Sequence, residues 1–260
     1  MQPRASKHKG VSPDIWDVFA PAPAGSGRVG AELIGGRVAN RRLSLRGVDV
    51  LYIEDSVLEN VTLADVSGSF FLGSGLKPTR YIGCSLEITN RHDYLIFGYC
   101  DFVDCEFIGL RAPQMAAYDA NFTNCRFVGK ASIAKFSIDP EARVREGSLL
   151  PLLFQGNDLT SFVCPDLDFR GGISLEQNSL RESEDEFVLL DVLRSASRLE
   201  ARGHVAKYSE AQLERLQRLK DRCAGTKQRD LFIPFALTRS FSPEELQLVR
   251  DLKVAQSLLS

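Results

Sequence analysis

Phe102 and Phe122 stand twenty positions apart, and so do Cys105 and Cys125, and Phe107 and Phe127. The same frame runs back through Tyr81, Cys84 and Leu86 of "YIGCSLEI", Leu58, Val61 and Leu63 of "LENVTL", and Val38, Arg41 and Leu43 of "VANRRL". Forward, "LTSFVC" continues it with Leu159, Phe162 and Cys164 after an insertion. Early in the chain the beat is shorter still, with an apolar residue at every fifth position: Leu33, Val38, Leu43, Val48, Ile53, Leu58 and Leu63. A compact α/β domain has no reason to repeat in this way. A chain wound into parallel coils does, because each coil stacks on the last at about 4.8 Å and sets equivalent side chains in register.

Five residues per side and four sides per coil reproduce the twenty-residue period. The central Leu or Phe of each side points inward. The residue two before it shares the same narrow interior and must be small, a role Cys fills as a small hydrophobe. Cys84, Cys105 and Cys125 are therefore expected as one buried thiol column, and the pairs Phe102/Phe122 and Phe107/Phe127 as two columns of stacked rings. A zinc site would call for a CxxC pair and a fourth ligand, and the chain carries neither. Arg41 falls where the pattern wants a small, buried residue, which leaves two alternatives: a first coil open at its end, or a shifted register.

The units "ANFTN" (120–124), "CDFVD", "CEFIG" and "CRFVG", with the looser "PDLDF" (165–169) and "LADVS" (63–67), resemble the repeats of the pentapeptide-repeat family. The resemblance covers roughly residues 31–176. It implies a β-solenoid, a right-handed quadrilateral parallel β-helix, followed here by a small α-helical domain.

Three regions are expected: an N-terminal arm or cap with a linker (1–29), the β-helix (30–180) and an α-helical domain (181–260). "SPDIWDVFAPAPAG" (12–25) holds the only Trp and an apolar cluster, suited to covering an open solenoid end. "GSGLKPTR" (73–80) and "SIDPEARVREGSLLP" (137–151) read as loops, and "ITNRHDYLIFGY" (88–99) as a coil side with a loop. Beyond residue 180 the apolar period turns helical. "SEDEF" has the form of a capping box with Ser183 as N-cap, predicting a helix over 184–201. "SEAQL" repeats it for 209–223, with Leu213, Leu216, Leu219 and Cys223 on one face. "SPEEL" opens a third helix, 242–258, with Pro243 at the first helical position. Its stripe of Leu246, Val249, Leu252, Ala255 and Leu258, flanked by Leu248, Val254 and Leu259, wants more than one neighbour, either the other helices or a second copy of the chain.

Charge narrows the function. The chain has a formal charge of −2, which favours neither direct nucleic-acid binding nor a polybasic membrane protein. No apolar run is long enough to span a bilayer, and the polar start "MQPRASKHKG" lacks the apolar core of a signal peptide, so a cytoplasmic protein is expected. The three histidines, His8, His92 and His204, are scattered, and no nucleotide-binding or nucleophile motif accompanies them. The reading is a non-enzymatic interaction scaffold without cofactor or metal, presenting a β-helix face and loops to a protein partner, in a bacterial toxin, immunity or defence context, with a homodimer through the C-terminal helices. Asp101, Asp104, Glu106 and Asp119, at outward positions of the repeat, and His92 and Asp93 in the 88–99 segment are the candidate surface residues. Family resemblance supplies an alternative, a double-stranded-DNA mimic that binds a type II topoisomerase. Residues 30–180, with 14 basic and 19 acidic side chains, are acidic enough to be compatible with it.

Overall fold

A computed structural model of the chain describes residues 11–25, 27–73, 77–138 and 153–257, with the side chains of 89–93 outside that description. Strand β1 (Ala20–Ala22) pairs antiparallel with β2 (Gly30–Ile34), and all later solenoid pairings are parallel. The first coil comprises β2, β3 (Arg37–Ala39) and β4 (Arg42–Ser44), and the second opens with β5 (Val50–Glu54) and β6 (Val57–Glu59). From β7 (Thr62–Leu72) onward, one strand turns a corner and serves the last side of one coil and the first of the next. The pairs β8 (Thr79–Ile82) with β9 (Ser85–Phe97), β10 (Cys100–Val103) with β11 (Glu106–Tyr118), and β12 (Asn121–Thr123) with β13 (Arg126–Ser137) repeat that plan. Strands β14 (Phe154–Gln155), β15 (Asp158–Val163) and β16 (Asp166–Arg170) close it. The result is a parallel β-solenoid of about five turns. A ten-stranded sheet bends around the solenoid, and a six-stranded sheet in the order β14-β12-β10-β8-β6-β3 forms the other wall.

The interior follows the repeat. Phe102 lies opposite both Tyr81 and Phe122, and Phe107 opposite Leu86 and Phe127. The rings stack at 4.5 Å (Tyr81–Phe102), 5.0 Å (Phe102–Phe122) and 4.7 Å (Phe107–Phe127), nearly parallel in each case. Cys84, Cys105 and Cys125 are buried, in no disulfide, and their thiols donate to the backbone carbonyls of Leu58, Tyr81 and Phe102 on the preceding coil. Asn157 ends this column: its Oδ1 accepts from the Cys125 N–H at 2.9 Å and its Nδ2 donates to Phe122 O at 3.0 Å.

Register holds in the first coil, where Val38 faces Leu58 and Leu43 faces Leu63. Arg41 stays in the thiol column's frame, its carbonyl accepting from Thr62 N–H, and its side chain is exposed at the end coil. The frame does correct at "LTSFVC". Phe154, not Leu159, lies opposite Phe122, and Asp158 lies opposite Arg126, so Leu159 belongs to the next side. The insertion holds fewer residues than the apolar spacing suggested. Residues 85–97 form one continuous strand rather than a coil side with a loop. The proposed loop 137–151 falls largely outside the described residues, as do 74–76 of the loop 73–80.

Both ends of the solenoid are covered. At the start, a 3-10 turn (Pro13–Asp17) buries Ile15 and, with Phe19, joins the solenoid core, with Trp16 half-buried beside them. At the far end stands a helical unit with α1 (Val192–Ala201), α2 (Glu210–Gly225), α3 (Phe235–Thr238) and α4 (Pro243–Ser257). It docks through an antiparallel pair, β17 (Phe187–Leu189) and β18 (Leu231–Ile233). Alternation along these strands divides two cores: Val188 and Phe232 face the solenoid, while Phe187, Leu189, Leu231 and Ile233 face the helices. Gly171 N–H donates to Thr226 O at 3.0 Å, and buried Asp230 accepts from Leu175 N–H at 2.8 Å and Asp191 N–H at 2.9 Å.

Ser183 does not start a helix. The "SEDEF" segment leads into β17, and α1 begins at Val192 with Asp191 as N-cap, its carboxylate accepting from Arg194 N–H. Sheet pairing with a strand 44 residues downstream overrides a local helix signal. The Ser209/Gln212 box forms as read, and Ser242 and Glu245 cap the third predicted helix in the same reciprocal way. Leu213 is exposed rather than on the packed face, as is Leu193 of α1, which keeps the helical apolar spacing with Ala196 and Leu199, and α4 buries Leu248 along with Val249, Leu252 and Ala255. The neighbours this broad surface needs are present within the chain, in α1, α2 and β17. Leu258 and Leu259 lie outside the described residues.

Candidate interaction face

The outward positions singled out in the sequence fall into different environments. Asp101, read as outward, is buried against the coil wall, and Arg80 on the preceding coil donates to it at 3.3 Å. Asp104 and Asp119 sit at corners in the left-handed backbone region, φ 53° and 57°. Asn and Asp tolerate that conformation better than other side chains. One corner column runs Asn40, Asn60, Gly83, Asp104, Asn124 and Gly156, each with positive φ. Asn60 Nδ2 donates to Asn40 Oδ1 at 3.2 Å, and Asn124 Nδ2 to Asp104 Oδ1 at 3.1 Å. These residues turn the chain at each coil. Glu106 is exposed and faces Arg126, 3.7 Å away, which also lies 3.9 Å from Asp158. The backbone of His92 and Asp93 belongs to β9, and their side chains lie outside the described residues.

Carboxylates on these sides thus meet arginines of adjoining coils. Arg37 holds Glu59 at 2.8 Å, and Arg42 reaches across two coils to Glu87 at 2.5 Å. The Arg42 guanidinium lowers the Glu87 carboxyl below its ordinary range. The surface is of mixed sign, with no unbroken acidic stripe among the described residues.

The ten-stranded sheet shows something different on its outer side. One outward column reads Glu32, Tyr52, Phe71, Ile96, Ala116, Lys135 and Asp168, each opposite the next. A second column, two residues back along each strand, places Tyr94, Gln114 and Ile133 side by side. Tyr118 stands two residues beyond Ala116. Tyr52 and Phe71 stack at 5.1 Å, and the Lys135 ammonium lies 5.6 Å over the Tyr118 ring. Tyr94 is 50% exposed, Tyr118 47% and Ile133 41%. Strand alternation explains the pattern: Leu51, Ile53, Phe70, Leu95, Phe97, Met115 and Phe136 take the inward positions, so the intervening apolar residues point outward. An apolar, aromatic centre bounded by Glu32 at one end and Lys135 and Asp168 at the other has the layout of a protein-binding patch.

Sequence reasoning passed over this face because it followed the residues in the repeat frame and gave Tyr52, Ile96 and Ile133 no role. The signal was available as apolar residues out of the repeat frame, next to others in it. "LYI" (51–53) and "LIF" (95–97) each put an apolar residue between two inward ones.

The architecture is that of a parallel β-solenoid with a helical end unit. Comparisons with protein-family models, curated proteins and solved structures return no match.

Proposed function

We propose that the protein is a non-enzymatic interaction scaffold whose outer ten-stranded face binds a protein partner. The observation that carries this reading is the outward-facing patch on a regular solenoid wall in which Tyr94, Tyr118 and Ile133 are exposed and Tyr52, Phe71 and Ile96 half-buried. Large exposed apolar patches on soluble surfaces mark interaction sites, and Tyr is enriched where they bind. The stacked Phe columns with Cys at the small position support membership of the pentapeptide-repeat family as part of the same proposal. A DNA-mimic role is less well supported, since Asp101, Glu59, Glu87 and Glu106 are matched by arginines of other coils.

Affinity capture from the source organism with three tagged forms tests the reading. Wild type and the Arg37→Glu control, altered on the six-stranded sheet, should retain a common partner at equal yield. The double variant Tyr94→Glu/Ile133→Glu should lose it. Retention of every bound protein by the double variant, with its fold intact by circular dichroism, contradicts the assignment of this face.

A further inference from the structure

Where β11 and β13 cross the side between the sheet's two broad walls, Arg111 lies directly opposite Lys130, and Lys130 is opposite Val163 of β15. Both cations are exposed, and among the described residues neither has an ion pair. This departs from the rest of the solenoid, where Arg80 meets Asp101 and Arg126 meets Glu106 and Asp158 at the equivalent spacing. Like charges directly opposite on neighbouring strands repel and destabilise the ladder. Beneath them is an open groove of about 650 Å³, within the size of small-molecule sites. Ala112, Ala131, Val163 and Pro165 give its lining an apolar part, and Ser132 offers a hydroxyl.

We propose that this groove binds an organic phosphate. The phosphoryl group sits between Arg111 and Lys130, where one dianion neutralises both cations, with the Ser132 hydroxyl as a further donor. The groove is far larger than a phosphate ion, so the remainder of the ligand is an apolar body lying on Val163 and Pro165. This site is separate from the aromatic face, and its test reads small-molecule binding alone, so either proposal can fail without the other.

Calorimetric titration of the full chain with phenyl phosphate, inorganic phosphate and benzoate tests it. Phenyl phosphate should bind saturably, more tightly than inorganic phosphate, which lacks the apolar body, and than benzoate, which lacks the dianion. Arg111→Gln and Lys130→Gln should each weaken it about tenfold or more, the loss of a charge-assisted hydrogen bond. Arg46→Gln, an exposed arginine outside the groove, should leave binding unchanged, and Val163→Asp should weaken it through repulsion at the lining. Absence of saturable binding, equal weakening by Arg46→Gln, or inorganic phosphate binding as tightly as phenyl phosphate would overturn the proposal.

Discussion

Phe122 touches more of the interior than its place in one column suggests. It stacks on Phe102 and meets the edges of Phe97, Phe136 and Phe154, at 5.7, 5.6 and 5.9 Å. Phe122→Ala is expected to cost about 3–5 kcal/mol, measured by denaturant unfolding, because coils stacked above and below cannot close around the cavity. The thiols beside it should be inert. Hydrogen bonding with the neighbouring Cys125 thiol, together with burial, pushes Cys105 up to about 12, and Cys84 is raised still further by its bond with Cys105. Alkylation at about pH 8 should therefore leave both unlabelled until denaturant is added; rapid labelling of the folded protein would contradict the column. These interior roles were legible because a side chain inside a stacked coil must repeat with the coil. Asp101, Asp104 and Asp119 were not, since an acidic residue at a corner, in an ion pair or on a free surface looks the same in one dimension. What distinguishes them is a partner about twenty residues away, or the sign of φ.

At the scale of elements, local and distant signals compete, and the distant ones decide where a strand partner exists. The serine at 183 has the glutamate of a capping box three places on, yet 187–189 pairs with 231–233 and the helix waits for Asp191. No local pattern announces a partner that far downstream. The boxes at Ser209 and Ser242 have no competing strand, and there the reading of 209–223 and 242–258 was good to a residue or two. In the second box, burial opposes ionisation of Glu245, but the Ser242 N–H and the Arg215 guanidinium at 2.7 Å outweigh it and hold the carboxyl below its ordinary value of 4.5. A depressed folded value means that the stabilisation is present above about pH 4.5 and fades as pH falls through the folded value. Glu245→Gln retains the cap but not the charge. Wild type should exceed it by about 1 kcal/mol near neutral pH, with the gap closing below about pH 4 in denaturant melts. A gap that is constant with pH would show that the charge is not involved.

The whole molecule is two cores sharing one seam, and Asp230 is the buried charge in it. Removing its carboxylate strands the N–H groups of Leu175 and Asp191, one on each side of the seam. Asp230→Ala is expected to cost about 2–4 kcal/mol and to uncouple the units. Helical ellipticity should then be lost before the fluorescence of Trp16, which packs at the opposite end of the solenoid. Coincident transitions in the variant would mean the seam does not depend on this residue. Coil stacking also places Tyr52, Phe71, Tyr94, Ile96, Tyr118 and Ile133, distributed over 82 positions of sequence, on a single wall. The central claim is that this outer wall is where the protein works. The direct measurement is photo-crosslinking in cells of the source organism, with a photoreactive residue placed in turn at positions 94, 118 and 37. The account expects the same partner to be captured from 94 and 118 and not from 37; capture from 37 alone, or equally from all three, would contradict it.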